Sequence, residues 1–189
     1  EVPTIFIMGG SSGASAINEV VLDALPVLLE RYNVVHQTGS ANLSEINEVA
    51  SVILRNSKYA NRYRNFGLLN ALAIRMTAGI SSLVVSRAGS GTIFEIASWG
   101  IPSILIPIPT EISHDQTENA FSYARMGAAS VLEQINLTPH LLVAEIEHIM
   151  KDQNLHASMS MAAKTFARPD AAKKVAAMIV ETALAHEHR

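Results

Sequence analysis

The 189 residues carry 14 Lys and Arg against 17 Asp and Glu, a formal net charge of −3, with 49% hydrophobic and 16% charged residues. That length suits one domain burying roughly 70% of the unfolded chain's surface, and the apolar weight excludes a disordered chain. The slightly acidic balance offers no basic patch for nucleic acid, and the absence of cysteine removes disulfide scaffolds, thiolate zinc sites and cysteine nucleophiles together.

Residues 4–8 form a short β-rich run that ends in Gly9-Gly10-Ser11-Ser12-Gly13. After it Ile17, Val20, Val21, Leu25 and Leu28 recur at helical spacing, with Pro26 expected to kink or break that helix. Residues 34–37 read as a second strand, closed by Thr38-Gly39-Ser40. A helical stretch over 43–59, a brief strand at 63–66 and a short Ala-rich helix over 70–78 follow. Residues 83–86 are a buried-type strand, and Arg87-Ala88-Gly89-Ser90-Gly91-Thr92 leads from it into a helix that runs to Trp99 and ends at Gly100. Strand 103–106 precedes Pro107 and Pro109, which force a loop through Ser113-His114-Asp115-Gln116. Helix 117–126, strand 130–132 and three C-terminal helical stretches complete the chain. No apolar run approaches the ~20 residues of a membrane helix, and no charged-then-apolar leader opens the chain. Because it begins Glu1-Val2-Pro3, without an initiator Met, we expect an excised piece carrying part of an activity.

Short strands that are apolar throughout, joined by helices, predict the α/β class: a doubly wound parallel sheet covered on both faces. Right-handed crossovers bring every strand-to-helix loop to one edge of such a sheet, where ligands bind. The loops at 9–13, 66–70, 87–92 and 107–116 are therefore expected around one pocket.

Two of these loops are Gly/Ser-rich turns between a strand and a helix. Glycine there lets backbone approach a ligand, and the free N–H groups and dipole of a helix N-terminus favour an anion such as a diphosphate. The turns match neither the Walker pattern nor the dinucleotide fingerprint, and a tight turn that needs glycine for backbone reasons alone is the competing account. Gly9-Gly10-Ser11-Ser12-Gly13 also satisfies the nucleophile-elbow spacing, which makes Ser11 a candidate nucleophile with His114 and Asp115 as partners. Glu95 has two readings. In one, Thr92-x-x-Glu95 is a capping box; in the other, the carboxylate accepts both hydroxyls of a ribose. Arg87 is placed to meet a diphosphate or to pair with a carboxylate at the core's edge. Gln116 and Asn119 suit sugar hydroxyls, because each amide both donates and accepts, or they are simply polar residues at a helix start. No metal is expected, since His114 has no second His or paired carboxylate at ligand spacing. His36, on a buried-type strand, reads as a satisfied core histidine.

Taken in order, these motifs resemble a known family. Gly9-Gly10-Ser11-Ser12-Gly13-Ala14 with Ile17-Asn18 and His36-Gln37-Thr38-Gly39 forms one set, and Ser86-Arg87-Ala88-Gly89-Ser90-Gly91-Thr92-x-x-Glu95 a second. Gly100-x-Pro102, Ile106-Pro107, Asp115-Gln116-x-x-Asn119-Ala120 and Gly127-Ala128-Ala129 follow. Together they are similar to the C-terminal half of the MurG family, the UDP-N-acetylglucosamine transferases of peptidoglycan precursor synthesis. The resemblance implies the Rossmann-like half of a two-domain, B-type glycosyltransferase fold. Residues 1–189 would be one UDP-sugar-binding domain, and the acceptor domain with its general base would lie outside this chain, so catalytic residues are not assigned and the chain alone would lack transfer activity.

By position, Gly10, Ser11, Ser12 and Gly13 would contact the diphosphate, joined by Arg87. Ser90, Gly91 and Thr92 would line the nucleotide, with Glu95 on the ribose. The loop at Gly67 would meet uracil through its backbone, and Asp115, Gln116 and Asn119 would face the N-acetylglucosamine. Asp115 stands where the family has His or Gln, and Gly67-Leu68-Leu69 where its pattern tends to be acidic. The implied enzyme is an inverting, metal-independent hexosyltransferase at the cytoplasmic face of the cell membrane, without a cofactor. It would act on a lipid-linked muramyl pentapeptide, with membrane association peripheral and not through this domain. A stand-alone donor-binding subunit that needs a membrane partner, and a serine hydrolase using Ser11, are the alternatives.

Overall fold

The computed structural model describes residues 1–9, 15–112 and 114–187. Its sheet follows from the apolar runs. Every residue of β1 (Thr4–Met8) is buried, because the strand is covered on both faces. β2 (Asn33–Gln37), β3 (Tyr63–Phe66), β4 (Ser81–Ser86), β5 (Ser103–Leu105) and β6 (Ala129–Val131) join it in the order β3-β2-β1-β4-β5-β6, with every pairing parallel. The chain winds outward from β1 to β3, then crosses back to β4 and winds the other way. The carboxyl ends of β1 and β4 therefore flank the topological switch point, where doubly wound sheets bind ligands.

Period-2 alternation divides the core between two faces. On one, Ile5, Ile7, Val34, Leu83 and Val85 pack against α1 (Ser15–Arg31), α2 (Leu43–Ile53) and α6 (Pro139–Lys151). On the other, Phe6, Met8, Val84 and Leu105 meet α3 (Ala71–Ile80), α4 (Ser90–Trp99), α5 (His114–Arg125) and α7 (Gln153–Phe166). A last helix, α8 (Ala171–Glu187), follows. Among the described residues no helix is long and apolar enough to cross a membrane.

Three local expectations change. Pro26 does not interrupt α1, which runs on to Arg31. The proline lies exposed, and the buried residues Val21, Leu22, Ala24, Leu25, Leu28 and Leu29 on either side of it anchor both halves to the sheet. Packing outweighs the local cost of about 3 kcal/mol. The helix expected over 43–59 stops at Ile53. Past it the Ser57 N–H donates to the Leu54 carbonyl and the Ser57 hydroxyl accepts from the Tyr59 N–H at 3.2 Å, a local turn that replaces helical bonding. Finally, α5 begins at His114 rather than 117, so Asp115 and Gln116 stand in its first turn.

Candidate functional site

The carboxyl end of β4 leads through Arg87 and Ala88 to Gly89, the N-cap of α4, whose carbonyl accepts the Ile93 N–H at 3.0 Å. The N–H groups of Ser90, Gly91 and Thr92 lie ahead of the first intrahelical bond and have no i−4 partner. Neither Gly89 nor Gly91 has a positive φ. A Cβ on Gly91 would meet nothing within 4 Å, and one on Gly89 only the Thr92 hydroxyl at 3.9 Å. Among the described residues, then, neither φ nor crowding requires glycine at these two positions, and nothing stands in front of the helix. The capping box fails, because Gly89 is the cap and Thr92 is already the third helical residue. Glu95 lies four and three residues beyond Gly91 and Thr92, on the same helix face. Its side chain is exposed and has no hydrogen-bond or ion-pair partner among the described residues.

Gln116 and Asn119 turn toward this region and clamp it. The Gln116 Oε1 accepts from the Ala88 N–H at 3.3 Å and the Ile108 N–H at 3.2 Å, so one amide joins the β4–α4 turn to the loop after β5. Its NH2 group has no partner among the described residues and remains free to donate. Asn119 Nδ2 donates to the Ala88 carbonyl at 3.4 Å. Asp115 is exposed beside Gln116. Arg87 meets no carboxylate among the described residues. Its guanidinium donates to the carbonyls of Ile106 and Pro107, both at 3.2 Å, and to Gln134 Oε1 at 2.7 Å, bracing the proline loop. Burial pushes it below the ordinary arginine value. Beside this brace a cleft of about 390 Å³ opens between Pro107, Pro109, Thr110, Thr117, Glu133 and Gln134.

Gly67 is required for a different reason. A Cβ there would come within 3.1 Å of the Ser40 Cα and 3.3 Å of the Leu43 side chain, so the loop after β3 lies tight against the loop after β2. No hydrogen bond among the described residues occupies the backbone of Gly67 or Leu68, whereas the next N–H, of Leu69, donates to Gln37 Oε1 at 3.2 Å. Gly10, Ser11, Ser12 and Gly13, with the diphosphate and nucleophile roles expected of them, lie outside the described residues, as does the side chain of His114.

One buried polar system escaped the sequence in all but its histidine. Asn18 Nδ2 donates to the Thr38 carbonyl at 3.0 Å, which turns its Oδ1 toward His36 Nε2, also at 3.0 Å. That oxygen accepts, so Nε2 carries the proton and Nδ1 accepts from the Tyr63 hydroxyl at 3.0 Å. His36 is thus the satisfied core residue expected of it. Burial drives its pKa down to about 3 and raises the Tyr63 hydroxyl well above its usual value. The available signal was Asn18 itself, a polar residue on the buried stripe of α1.

A doubly wound parallel sheet with an open helix N-terminus at its switch point defines a Rossmann-like α/β domain. Residues 4–175 match the family model of the glycosyltransferase family 28 C-terminal domain, and the chain belongs to that family. It is 31% identical over 188 residues to the UDP-N-acetylglucosamine--N-acetylmuramyl-(pentapeptide) pyrophosphoryl-undecaprenol N-acetylglucosamine transferase of Limosilactobacillus reuteri, covering 99% of this chain and 50% of that protein. To an enzyme of the same name, numbered 2, from Bacillus cereus it is 39% identical over 155 residues, 82% of this chain and 41% of the relative. The crystal structure of Acinetobacter baumannii MurG superposes with a TM-score of 0.81 at 27% identity, over 96% of this chain and 50% of that one. The chain spans about half the length of the curated relatives it matches.

Proposed function

We propose that this chain is the donor-binding half of an inverting N-acetylglucosaminyltransferase, taking UDP-N-acetylglucosamine and serving a lipid-linked muramyl pentapeptide at the cytoplasmic face of the membrane. The observation that carries the reading is the start of α4. Among the described residues the N–H groups of Ser90, Gly91 and Thr92 have no partner, no neighbour crowds the missing side chain of Gly91, and an unpaired Glu95 carboxylate lies one turn further along the same face. A diphosphate at the N–H groups gains donors and the positive helix end, and a ribose on the Glu95 face gains an acceptor for its two hydroxyls. In transfer, negative charge grows on the departing UDP. Fixed donors aimed at that charge stabilise it more in the transition state than in the ground state.

The other assignments follow by position. The loop holding Gly10, Ser11, Ser12 and Gly13 completes the diphosphate cradle from the β1 side of the switch point. The free backbone of Gly67 and Leu68 reads the uracil edge. The Gln116 NH2, left over once its oxygen is spent on backbone, donates to a sugar hydroxyl, with Asp115 and Asn119 beside it. Arg87 acts on the diphosphate side by holding the proline loop in place. The general base and acceptor site belong to a second domain, so the 189 residues bind donor without transferring it.

Titration calorimetry of the 189-residue chain with UDP-N-acetylglucosamine tests this. Saturable binding is expected, and it falls at least about 100-fold in Glu95→Ala, since a lost charged hydrogen bond costs roughly 1.5–3 kcal/mol and two are removed. Absence of binding at millimolar ligand by the folded chain overturns the reading.

A further inference from the structure

Gln37, the last residue of β2, is polar yet only 5% exposed. Strand alternation turns its side chain away from His36, to the face where Val35, Leu69 and Ile74 pack, so it stands outside the His36 network. Its carbonyl accepts the Gly9 N–H at 3.1 Å, and its Oε1 accepts the Leu69 N–H at 3.2 Å. One residue thus ties the end of β1 to the loop after β3. A backbone N–H can only donate, so the atom that meets Leu69 is the amide oxygen and the atom left over is the NH2 group. That group has no partner among the described residues. An amide buried this deeply seldom keeps an unpaired donor, because its lost hydration is not replaced.

The loop that Gln37 holds is fixed at both ends and free in the middle. The Phe66 carbonyl accepts the Thr38 N–H at 2.9 Å and the Leu69 N–H is taken by Gln37, whereas the backbone of Gly67 and Leu68 carries no hydrogen bond among the described residues. Those two residues offer N–H donors and carbonyl acceptors side by side. Uracil shows three groups in a row: the 2-keto acceptor, the N3–H donor and the 4-keto acceptor. A backbone pair answers two neighbours of the three, and the remaining keto oxygen needs a donor from elsewhere. Gln37 stands on β2, one strand nearer the switch point than the loop after β3. The 2-keto oxygen is the one nearest the ribose, and the ribose lies toward the switch point with the diphosphate.

We infer that Gln37 is a specificity-determining residue for the nucleobase: its oxygen holds the loop after β3, and its NH2 group donates to the 2-keto oxygen of a uracil whose far edge meets Gly67 and Leu68. This rests on the donor reading and adds to it a side chain from β2. With its oxygen held by Leu69, the amide cannot turn over to present an acceptor. A base with an amino group at that place therefore meets donor against donor and is refused. Gln116 is built the same way, with its oxygen held by the Ala88 and Ile108 N–H groups and its NH2 group left over. Two amides, one on each side of the switch point, are thus fixed by backbone through their oxygens and serve opposite ends of the nucleotide sugar.

Calorimetric titration of the 189-residue chain with UDP and with 2-thio-UDP tests it, because sulfur is a weak acceptor. The parent chain is expected to bind 2-thio-UDP at least about fivefold more weakly than UDP. Gln37→Met keeps the length of the side chain and has neither an amide donor nor an amide oxygen. It should bind UDP at least about tenfold more weakly than the parent, and UDP and 2-thio-UDP within about twofold of each other. A purely structural role for Gln37 would weaken both ligands alike and leave the parent's ratio in place, which overturns the inference. A parent chain that binds the two ligands equally also overturns it, without recourse to any variant, and leaves the donor reading standing. Absence of binding of UDP and of UDP-N-acetylglucosamine by the folded parent overturns both.

Discussion

The carboxyl ends of β2 and β4 stand one strand apart, on either side of β1, and are finished in opposite ways. At the end of β2 the buried groups of Asn18, His36 and Thr38 are partnered internally: His36 holds Asn18 and Tyr63, and the Thr38 carbonyl takes amide donors from both Asn18 and Asn42. At the end of β4 the polar groups lack partners among the described residues: three N–H groups at the start of α4 and the Glu95 carboxylate, beside Gly91, whose missing side chain would meet nothing within 4 Å. Buried polar groups left unpaired are costly, so the groups under β2 are closed by internal partners, whereas the exposed groups at the start of α4 are left to solvent or a ligand. The first region suits stability, and the second suits the ligand proposed for it. Substitutions in the two should therefore separate cleanly, those at the start of α4 moving affinity and those in the His36 network moving stability.

The largest separation is expected from Gly91→Asp. A carboxylate at the second position of a helix interacts favourably with the dipole, by about 0.3–1 kcal/mol, and the added Cβ meets no neighbour. Melting temperature should hold or rise. The same charge occupies the place proposed for a diphosphate, and donor affinity should drop by at least about 100-fold, near 2.7 kcal/mol. A variant that melts as the parent and still binds UDP-N-acetylglucosamine would show that the open helix end is not where the anion sits.

Acid tests the other region. With the folded-state pKa of His36 near 3 and an unfolded value of 6.5, the unfolded chain takes up a proton below pH 6.5 that the folded chain refuses. Its contribution is intact above that value and is lost as pH falls toward 3. Between pH 7 and 5 this amounts to about 2 kcal/mol of lost stability. Urea unfolding across that range, with the His36 ring proton signals followed by NMR, should show falling stability while the ring stays neutral. A ring that titrates between pH 5 and 7 in the folded chain contradicts the closed network.

What could be read from sequence divides along the same line. The alternation of short apolar runs with helical spacing was enough for the parallel sheet, because strands covered on both faces have no polar period to hide them. The glycines after β4 could be located but not interpreted. Whether Gly89 and Gly91 serve the backbone or a ligand depends on φ and on what lies within 4 Å, and neither has a signature in residue identity. Glu95 was misleading for a related reason: Thr92-x-x-Glu95 has capping-box spacing, but the helix starts two residues earlier, at Ser90, with a glycine as its cap. Gln116 and Arg87 were found as polar residues near the site, yet their main partners are the backbone of Ala88 and Ile108 and the carbonyls of Ile106 and Pro107. Such contacts carry no residue code.

The smallest effect, and the finest test of the comparison, belongs to Tyr63→Phe. Tyr63 packs at the edge of the α1–α2 core, and its hydroxyl donates to His36 Nδ1, so the substitution keeps the ring and removes one donor. The histidine is left with a buried, unpartnered acceptor, which costs about 1 kcal/mol. In a chain of this length that lowers the melting temperature by roughly 2–4 °C. Affinity for UDP-N-acetylglucosamine should change by less than about twofold, because His36 keeps its bond to Asn18 and the start of α4 is untouched. A loss of affinity larger than the loss of stability would mean that the network under β2 positions the neighbouring ligand loops, and the division between a closed strand end and an open one would have to be redrawn.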